Sequence, residues 1–162
     1  TLTFTNCLVV MGEGTKITGT RMNRVILKNS IMVGCNGSTW DGIELSGNHM
    51  TGEGIILDSA IIINASNPIV ATKIPEINIQ KSVIVNGATA IELNESKEYT
   101  IKHTWIAGFT SGINTNYSHA NFNRVIDGNR IWDVDTAARF YYCHNDKLDI
   151  TCNDLRFRQV GI

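Results

Sequence analysis

The chain has 162 residues, 43% hydrophobic and 18% charged, with a formal net charge of −1. That length supports one domain with a real core, and the composition excludes disorder. The charge balance gives no electrostatic reason to expect nucleic acid or an anionic membrane as partner, and no apolar run approaches the ~20 residues of a membrane span.

Taken in chain order, one short pattern recurs: an apolar residue, two polar or turn residues, a small polar residue, any residue, then an apolar one. It reads Phe4…Cys7…Val9, Leu27…Ser30…Met32, Ile56…Ser59…Ile61 and Ile79…Ser82…Ile84. It continues as Ile101…Thr104…Ile106, Ile126…Asn129…Ile131 and Ile150…Asn153…Leu155. The small polar anchors at 7, 30, 59, 82, 104, 129 and 153 are spaced 23, 29, 23, 22, 25 and 24 apart. The long step holds a Gly-rich insertion around Ser46-Gly47-Asn48-His49-Met50-Thr51-Gly52. A second apolar element follows most anchors: Lys16-Ile17, Gly42-Ile43-Glu44-Leu45, Pro68-Ile69, Ala90-Ile91-Glu92-Leu93, Gly112-Ile113, Arg139-Phe140 and Gly161-Ile162. Apolar residues alternate at two, not at three and four, so the elements are short strands split by Asn, Gly, Ser and Asp.

Short strands at this period predict an all-β, right-handed parallel β-helix of about seven coils, a rod roughly 30 Å long at ~4.8 Å per coil. A leucine-rich repeat would carry Leu-x-x-Leu-x-Leu-x-x-Asn, which is missing. The anchors are expected to point inward at a corner, where small polar groups bond the turn backbone. No His or acid accompanies each Ser, so the column does not read as a row of nucleophiles. Both termini are strand-like, Thr1-Leu2-Thr3-Phe4 and Gly161-Ile162. Residues 1–162 therefore read as a single segment of a longer rod. Cys143 and Cys152 could pair in an oxidising compartment, as in secreted scaffolds; otherwise Cys7, Cys35, Cys143 and Cys152 act as buried small hydrophobes.

The segment Cys35-Asn36-Gly37-Ser38-Thr39-Trp40-Asp41-Gly42-Ile43-Glu44-Leu45 resembles a Trp-x-Gly-Ile coil of the pectin-lyase-like β-helix superfamily, as found in large secreted and cell-surface proteins of the Bacteroidetes. The Ser-x-Ile and Gly-Ile pairs of later coils extend the likeness over nearly the whole chain. The resemblance implies export to the cell surface or beyond. It does not select a function, because the fold serves lyases, hydrolases, adhesins and tailspikes alike. Trp40 is expected to pack at a corner.

Upstream of the anchor the outward column is polar: Thr5, Lys28, Gln80, Lys102, Asp127 and Thr151, with Leu57 the exception. Downstream it is apolar. The first outward column reads Leu8, Ile31, Ala60, Val83 and Trp105, and the second Val10, Val33, Ile62, Val85 and Ala107. A strand apolar on both faces is expected where both faces are covered. Leu8, Ile31, Val33, Ile62, Val83, Val85 and Trp105 are thus candidate interface residues, covered by another domain or protein chain. Arg130, Trp132, Asp133, Asp154 and Arg156 break the trend, so cover should end near 110–125.

Signals for chemistry are sparse. Hydrolases of the resembled family carry paired Asp with Gly-His-Gly and Arg-x-Lys; Gly47-Asn48-His49 and Gly128-Asn129-Arg130 are superficial echoes. Glu44 and Glu92 belong to coils two apart, ~9.6 Å by strand spacing and at the edge of the ~6.5–9.5 Å range of an inverting glycosidase. Asp133 and Asp135, with Arg139, His144 and Asp146 nearby, form a second weak catalytic candidate and the one place for calcium. His49, His103, His119 and His144 are dispersed and suggest no metal. Trp105, Trp132, Arg130 and Tyr141, with Tyr142, are candidate ligand-binding residues that could stack on a sugar. The leading expectation is a structural or adhesive, glycan-binding segment of an extracellular or cell-surface protein, without a resident cofactor. A polysaccharide lyase or glycoside hydrolase is one alternative, and a phage tailspike-like trimer another.

Overall fold

A computed structural model of the chain describes residues 1–20, 23–50, 52–116, 122–141 and 147–158. The first turn runs through β1 (Leu2–Thr5), β2 (Leu8–Met11) and β3 (Lys16–Thr20). The second runs through β4 (Arg24–Lys28), β5 (Ile31–Gly34) and β6 (Gly42–Ser46), and the third through β7 (Gly54–Asp58), β8 (Ile61–Ile63) and β9 (Ile69–Thr72). Beyond that, the second and third strands of each turn fuse. β10 (Glu76–Gln80) leads into β11 (Val83–Asn94), β12 (Glu98–Lys102) into β13 (Trp105–Asn116), and β14 (Asn123–Asp127) into β15 (Arg130–Tyr141). β16 (Lys147–Thr151) and β17 (Asp154–Phe157) open the next turn.

All pairings are parallel. The first sheet is ordered β1-β4-β7-β10-β12-β14-β16, and the second β2-β5-β8-β11-β13-β15-β17. A third line, β3-β6-β9, joins the second sheet through the C-terminal half of β11. The expected parallel β-solenoid is thus observed; seven strand starts enclose about six turns.

The core is made of stacked inward columns. One runs Leu27, Leu57, Ile79, Ile101 and Ile126 in the first sheet, another Met32, Ile62, Ile84, Ile106 and Ile131 in the second, and a third Ile43, Ile69, Ile91 and Ile113. Trp40 fills a corner as expected, fully buried, its indole N–H donating to the Ile63 carbonyl at 3.1 Å. Gly87 stands in register with the buried Phe109. A Cβ on Gly87 would meet the Ala65 carbonyl oxygen at 2.1 Å and the Phe109 ring at 2.7 Å, so glycine makes room for the phenyl group. Ser111, Thr115 and Arg124 break the apolar rule at inward strand positions, and the buried Arg124 guanidinium lies 5.8 Å from the Tyr99 ring centroid.

At the first corner each turn places one residue in the left-handed region, followed by the anchor. The corner residues are Asn6, Asn29, Ser59, Lys81, His103, Gly128 and Cys152, with φ between 48° and 64°. Gly128 also leaves space: a Cβ there would approach His103 Nδ1 to 2.5 Å. Four anchors, Ser30, Ser82, Asn129 and Asn153, tie their turn to the one before. The Cys7 N–H donates to Ser30 Oγ (3.1 Å), and the Ala60 N–H donates to Ser82 Oγ (3.2 Å). The Thr104 N–H donates to Asn129 Oδ1 (2.9 Å), and the Asn129 N–H donates to Asn153 Oδ1 (3.0 Å). Ser30, Ser82 and Thr104 donate back to the carbonyls of Lys28, Gln80 and Lys102, and Asn129 to that of Ile101.

This ladder corrects the third anchor. Lys28 pairs with Asp58 and Ile31 with Ile61, so the anchor there is the buried Ala60, and Ser59 is the left-handed residue before it. Ser59 drew the sequence reading because Ala60 has no polar group to mark it. The one-residue shift puts Leu57 in the core with Asp58 in the outward polar column, and turns Ile62 inward. The cysteines also differ from expectation: Cys7, Cys35 and Cys152 are exposed and free, and Cys143 lies outside the described residues, with its pairing.

Removing an anchor side chain strands buried backbone groups. Ser82→Ala is expected to cost about 1–3 kcal/mol, and Asn129→Ala, which orphans both the Thr104 N–H and the Ile101 carbonyl, more than that. Urea unfolding midpoints measure both; a loss under about 0.5 kcal/mol for Asn129→Ala, the range of a neutral surface change, would remove the ladder's energetic role.

Candidate functional site

The corrected register defines two outward columns on the second sheet. The first runs Leu8, Ile31, Ile61, Val83, Trp105, Arg130 and Asp154. The second runs Val10, Val33, Ile63, Val85, Ala107, Trp132 and Arg156. Over five turns both are wholly apolar. No described segment of the chain folds over this face: Leu8 is 67% exposed, Val10 57%, Ile31 37% and Trp105 42%. Val33, Ile61, Ile63, Val83 and Val85 are half-buried, flanked by like residues of the turns above and below. Ile62, expected here, is core, and Ile61 and Ile63 take its place.

The stripe ends in an aromatic and cationic group. Trp105 and Trp132 meet edge to face, their ring centroids 5.9 Å apart at 70°. The Arg156 guanidinium lies 4.2 Å from the Trp132 centroid, and that of Arg130 5.8 Å away. One face of Trp132 is therefore capped by an arginine, and Trp105 offers the open indole. Arg156 also holds Asp154, with Nε and Nη2 donating at 3.3 and 3.1 Å. Those hydrogen bonds keep the Asp154 carboxyl below its ordinary range against the opposing effect of desolvation, and the Arg156 charge, the Trp132 indole and the Arg130 charge act in the same sense as the hydrogen bonds. Tyr141 does not join this group. It stands in register with Asn116 at the far end of β15, around the second corner, with Arg139 5.8 Å from its ring centroid.

The carboxylate candidates are engaged elsewhere. Glu44, Val70 and Glu92 share one outward column, as expected from the sequence. Glu44 pairs with Lys16 at 2.7 Å, which raises the lysine's pKa through that hydrogen bond and the carboxylate charge, and Glu92 accepts from Asn94 at 3.0 Å. Asp133 sits in the left-handed region at the second corner (φ 52°), in the manner of Asn64 and Asn86. It accepts from Arg158 Nε at 3.0 Å, and Asp135 lies 3.9 Å from Arg158 Nη1. One arginine from the following turn thus serves both acids. His144, Asp146 and Tyr142 lie outside the described residues, as does His119. Among the described residues no group of three His, Cys, Asp or Glu could hold a metal ion. No helix among the described residues is long and apolar enough to cross a membrane.

Sequence reasoning missed three residues. Arg158 lies outside the repeat pattern. Lys81 and His103 occupy left-handed corner positions, which alternation does not mark, and they line a cleft of about 330 Å³ beside Trp105 and Arg130. Compared with known proteins, the chain matches no family model, no curated protein and no solved structure.

A carboxyl with a lowered folded pKa contributes stability above its unfolded value, ~3.9 for Asp, and loses it as pH falls through the lower folded value. NMR titration is expected to place Asp154 below ~3.9 and Arg156→Ala to return it towards ~3.9. A normal midpoint in the unsubstituted chain would mean the Arg156 bridge is not formed in solution.

Proposed function

We propose that the chain is a structural, adhesive β-solenoid segment of a secreted or cell-surface protein, and that the outer face of its second sheet docks a partner. One observation carries this reading: ten outward residues in five consecutive turns are apolar, and no described part of the chain covers them. On the first sheet the outward column next to the corner is polar over the same turns, with Lys28, Asp58, Gln80, Lys102 and Asp127, and the column beside it alternates apolar Ile26, Ile56 and Val125 with Thr3, Asn78, Thr100 and Asp149. Arg24 there reaches over Gly54 to bond Glu76. The sequence thus distinguishes a wetted face from a face suited to cover, as parallel sheets do when helices or other layers bury both sides. Kinship with the pectin-lyase-like β-helices, and the surface location it implies, belong to the same proposal and rest on the Trp40-Asp41-Gly42-Ile43 coil.

Glycan adhesion is a second reading, favoured by the open Trp105 indole beside Arg130. The readings as a lyase or hydrolase, or as a tailspike-like trimer, draw less support. Asp133 and Asp135 share Arg158, and Glu44 and Glu92 are two turns apart with Val70 between.

The test uses an environment-sensitive hydrophobic dye and a panel of neutral and acidic polysaccharides, with and without calcium. The unsubstituted chain is expected to bind the dye, and an Ile31→Lys, Val83→Lys double variant to lose that signal while its unfolding midpoint changes little, because both side chains face outward. Dye binding equal in the two proteins would remove the docking face. Polysaccharide cleavage lost in Asp133→Asn, Asp135→Asn would replace the structural reading with an enzymatic one.

A further inference from the structure

We infer that the occupant of this face is an amphipathic segment of a partner protein, apolar on one side with carboxylates along one edge. The inference rests on reading the second sheet as a docking face and specifies the chemistry of what docks. The stripe itself is aliphatic. Leu8, Val10, Ile31, Val33, Ile61, Ile63, Val83 and Val85 offer no hydrogen bonds to a sugar but match the side chains of another protein.

Size narrows the choice. Five strands at ~4.8 Å give a stripe about 19 Å long, and two columns ~6.6 Å apart make it two side chains wide, a footprint on the order of 300 Å². A standard interface takes about 800 Å² from each partner, so the stripe is too small for a stable pair of these chains by itself. A helix of about thirteen residues, at 1.5 Å per residue and 10–12 Å across, covers it.

Charge then sets the edge. Along the first corner the stripe is flanked by Asn6, Asn29, Ser59, Lys81 and His103, and at its lower end by Arg130; Lys28, Asp58, Lys102 and Asp127 stand one position further out, where Asp58 accepts from Ser59 and Asp127 from Thr151. Lys81, His103, Arg130 and Trp105 line one cleft that no carboxylate enters. Neither Lys81 nor Arg130 forms an ion pair with a described carboxylate; the nearest acid by register, Asp154, is held by Arg156. Across the stripe the second corner carries the uncharged Asn64, Asn86 and Gly108, and in the turn of Arg130 it carries Asp133, which Arg158 holds. Lys81 on one edge and Arg130 at one end thus offer the two cations that face the cleft, which would orient the incoming segment as well as attract it.

The test is a displayed library of random twenty-residue peptides, selected on the full chain and counter-selected on the Val83→Lys variant. Selected peptides are expected to combine helix-spaced apolar residues with Asp or Glu along one edge. Their affinity should fall about tenfold in Lys81→Glu, Arg130→Glu, as two exposed ion pairs allow, and should weaken with salt. Lys28→Glu, on the first sheet, should leave it unchanged. Peptides that need Val83 but show no acidic enrichment would overturn the inference and leave the docking face standing; a library yielding no Val83-dependent binder would overturn both. Two further outcomes also overturn it: concentration-dependent dimers abolished by Val83→Lys, which would make a second copy the occupant, and retention of alginate through Lys81 and Arg130 without peptide binding, which would make it a glycan.

Discussion

Every face of this solenoid is set by the hydrogen-bonded column at its first corner. At four of the six steps the anchor side chain of one turn accepts the anchor N–H of the turn before, and Ser30, Ser82 and Thr104 also donate to a carbonyl at the end of the first sheet. Parallel strands have a side-chain period of two, so one residue of slip would exchange core for surface throughout a strand. The left-handed residue and the buried polar anchor after it fix that register turn by turn. The third turn has Ala60 in place of a polar anchor, but its N–H is still received by Ser82 of the next turn. Between Ser30 and Ala60, and again between Ser82 and Thr104, strand pairing carries the phase instead.

With register fixed, the outer surfaces follow from the strand sequences alone. The first sheet turns lysines, acids and amides outward beside a mixed column that includes Ile26, Ile56 and Val125, and the third line adds the Lys16–Glu44 pair and the Glu92, Asn94 and Asn116 chain of hydrogen bonds. The second sheet turns valines, isoleucines and leucine outward instead. The change at Arg130 is abrupt: within one turn the same columns pass from apolar residues to arginine, tryptophan and aspartate. An exposed aliphatic stripe with a defined end and a cationic edge is what a docking surface needs, since apolar area supplies attraction and charge supplies orientation.

Much of this was legible in the sequence. Alternation and the 22–25-residue period marked the strands, their parallel stacking and the inward isoleucine columns. The apolar outer columns were visible too, except in the third turn, where Ser59 imitated an anchor and shifted Ile62 outward on paper. What alternation does not encode is the backbone between strands. Left-handed corners at Lys81, His103 and Asp133 carry ordinary side chains, so the cationic edge of the stripe and the turn role of Asp133 emerged only from the fold. Arg158 reaches Asp133 across a turn of the solenoid, a contact that sequence proximity hides. Tyr141 follows Trp132 in the same turn, but β15 passes the left-handed corner at Asp133 between them, so the two side chains do not share a site.

Hydroxyl-radical footprinting of the intact chain tests the central claim most directly, because it reads side-chain exposure residue by residue. Ile31, Ile61, Val83 and Trp105 are expected to be oxidised readily, and Ile62, Ile84 and Ile106 to be protected. Protection of Ile61 with oxidation of Ile62 would contradict the register, and protection of Ile31, Val83 and Trp105 together in the monomer would mean that the chain covers its own apolar face.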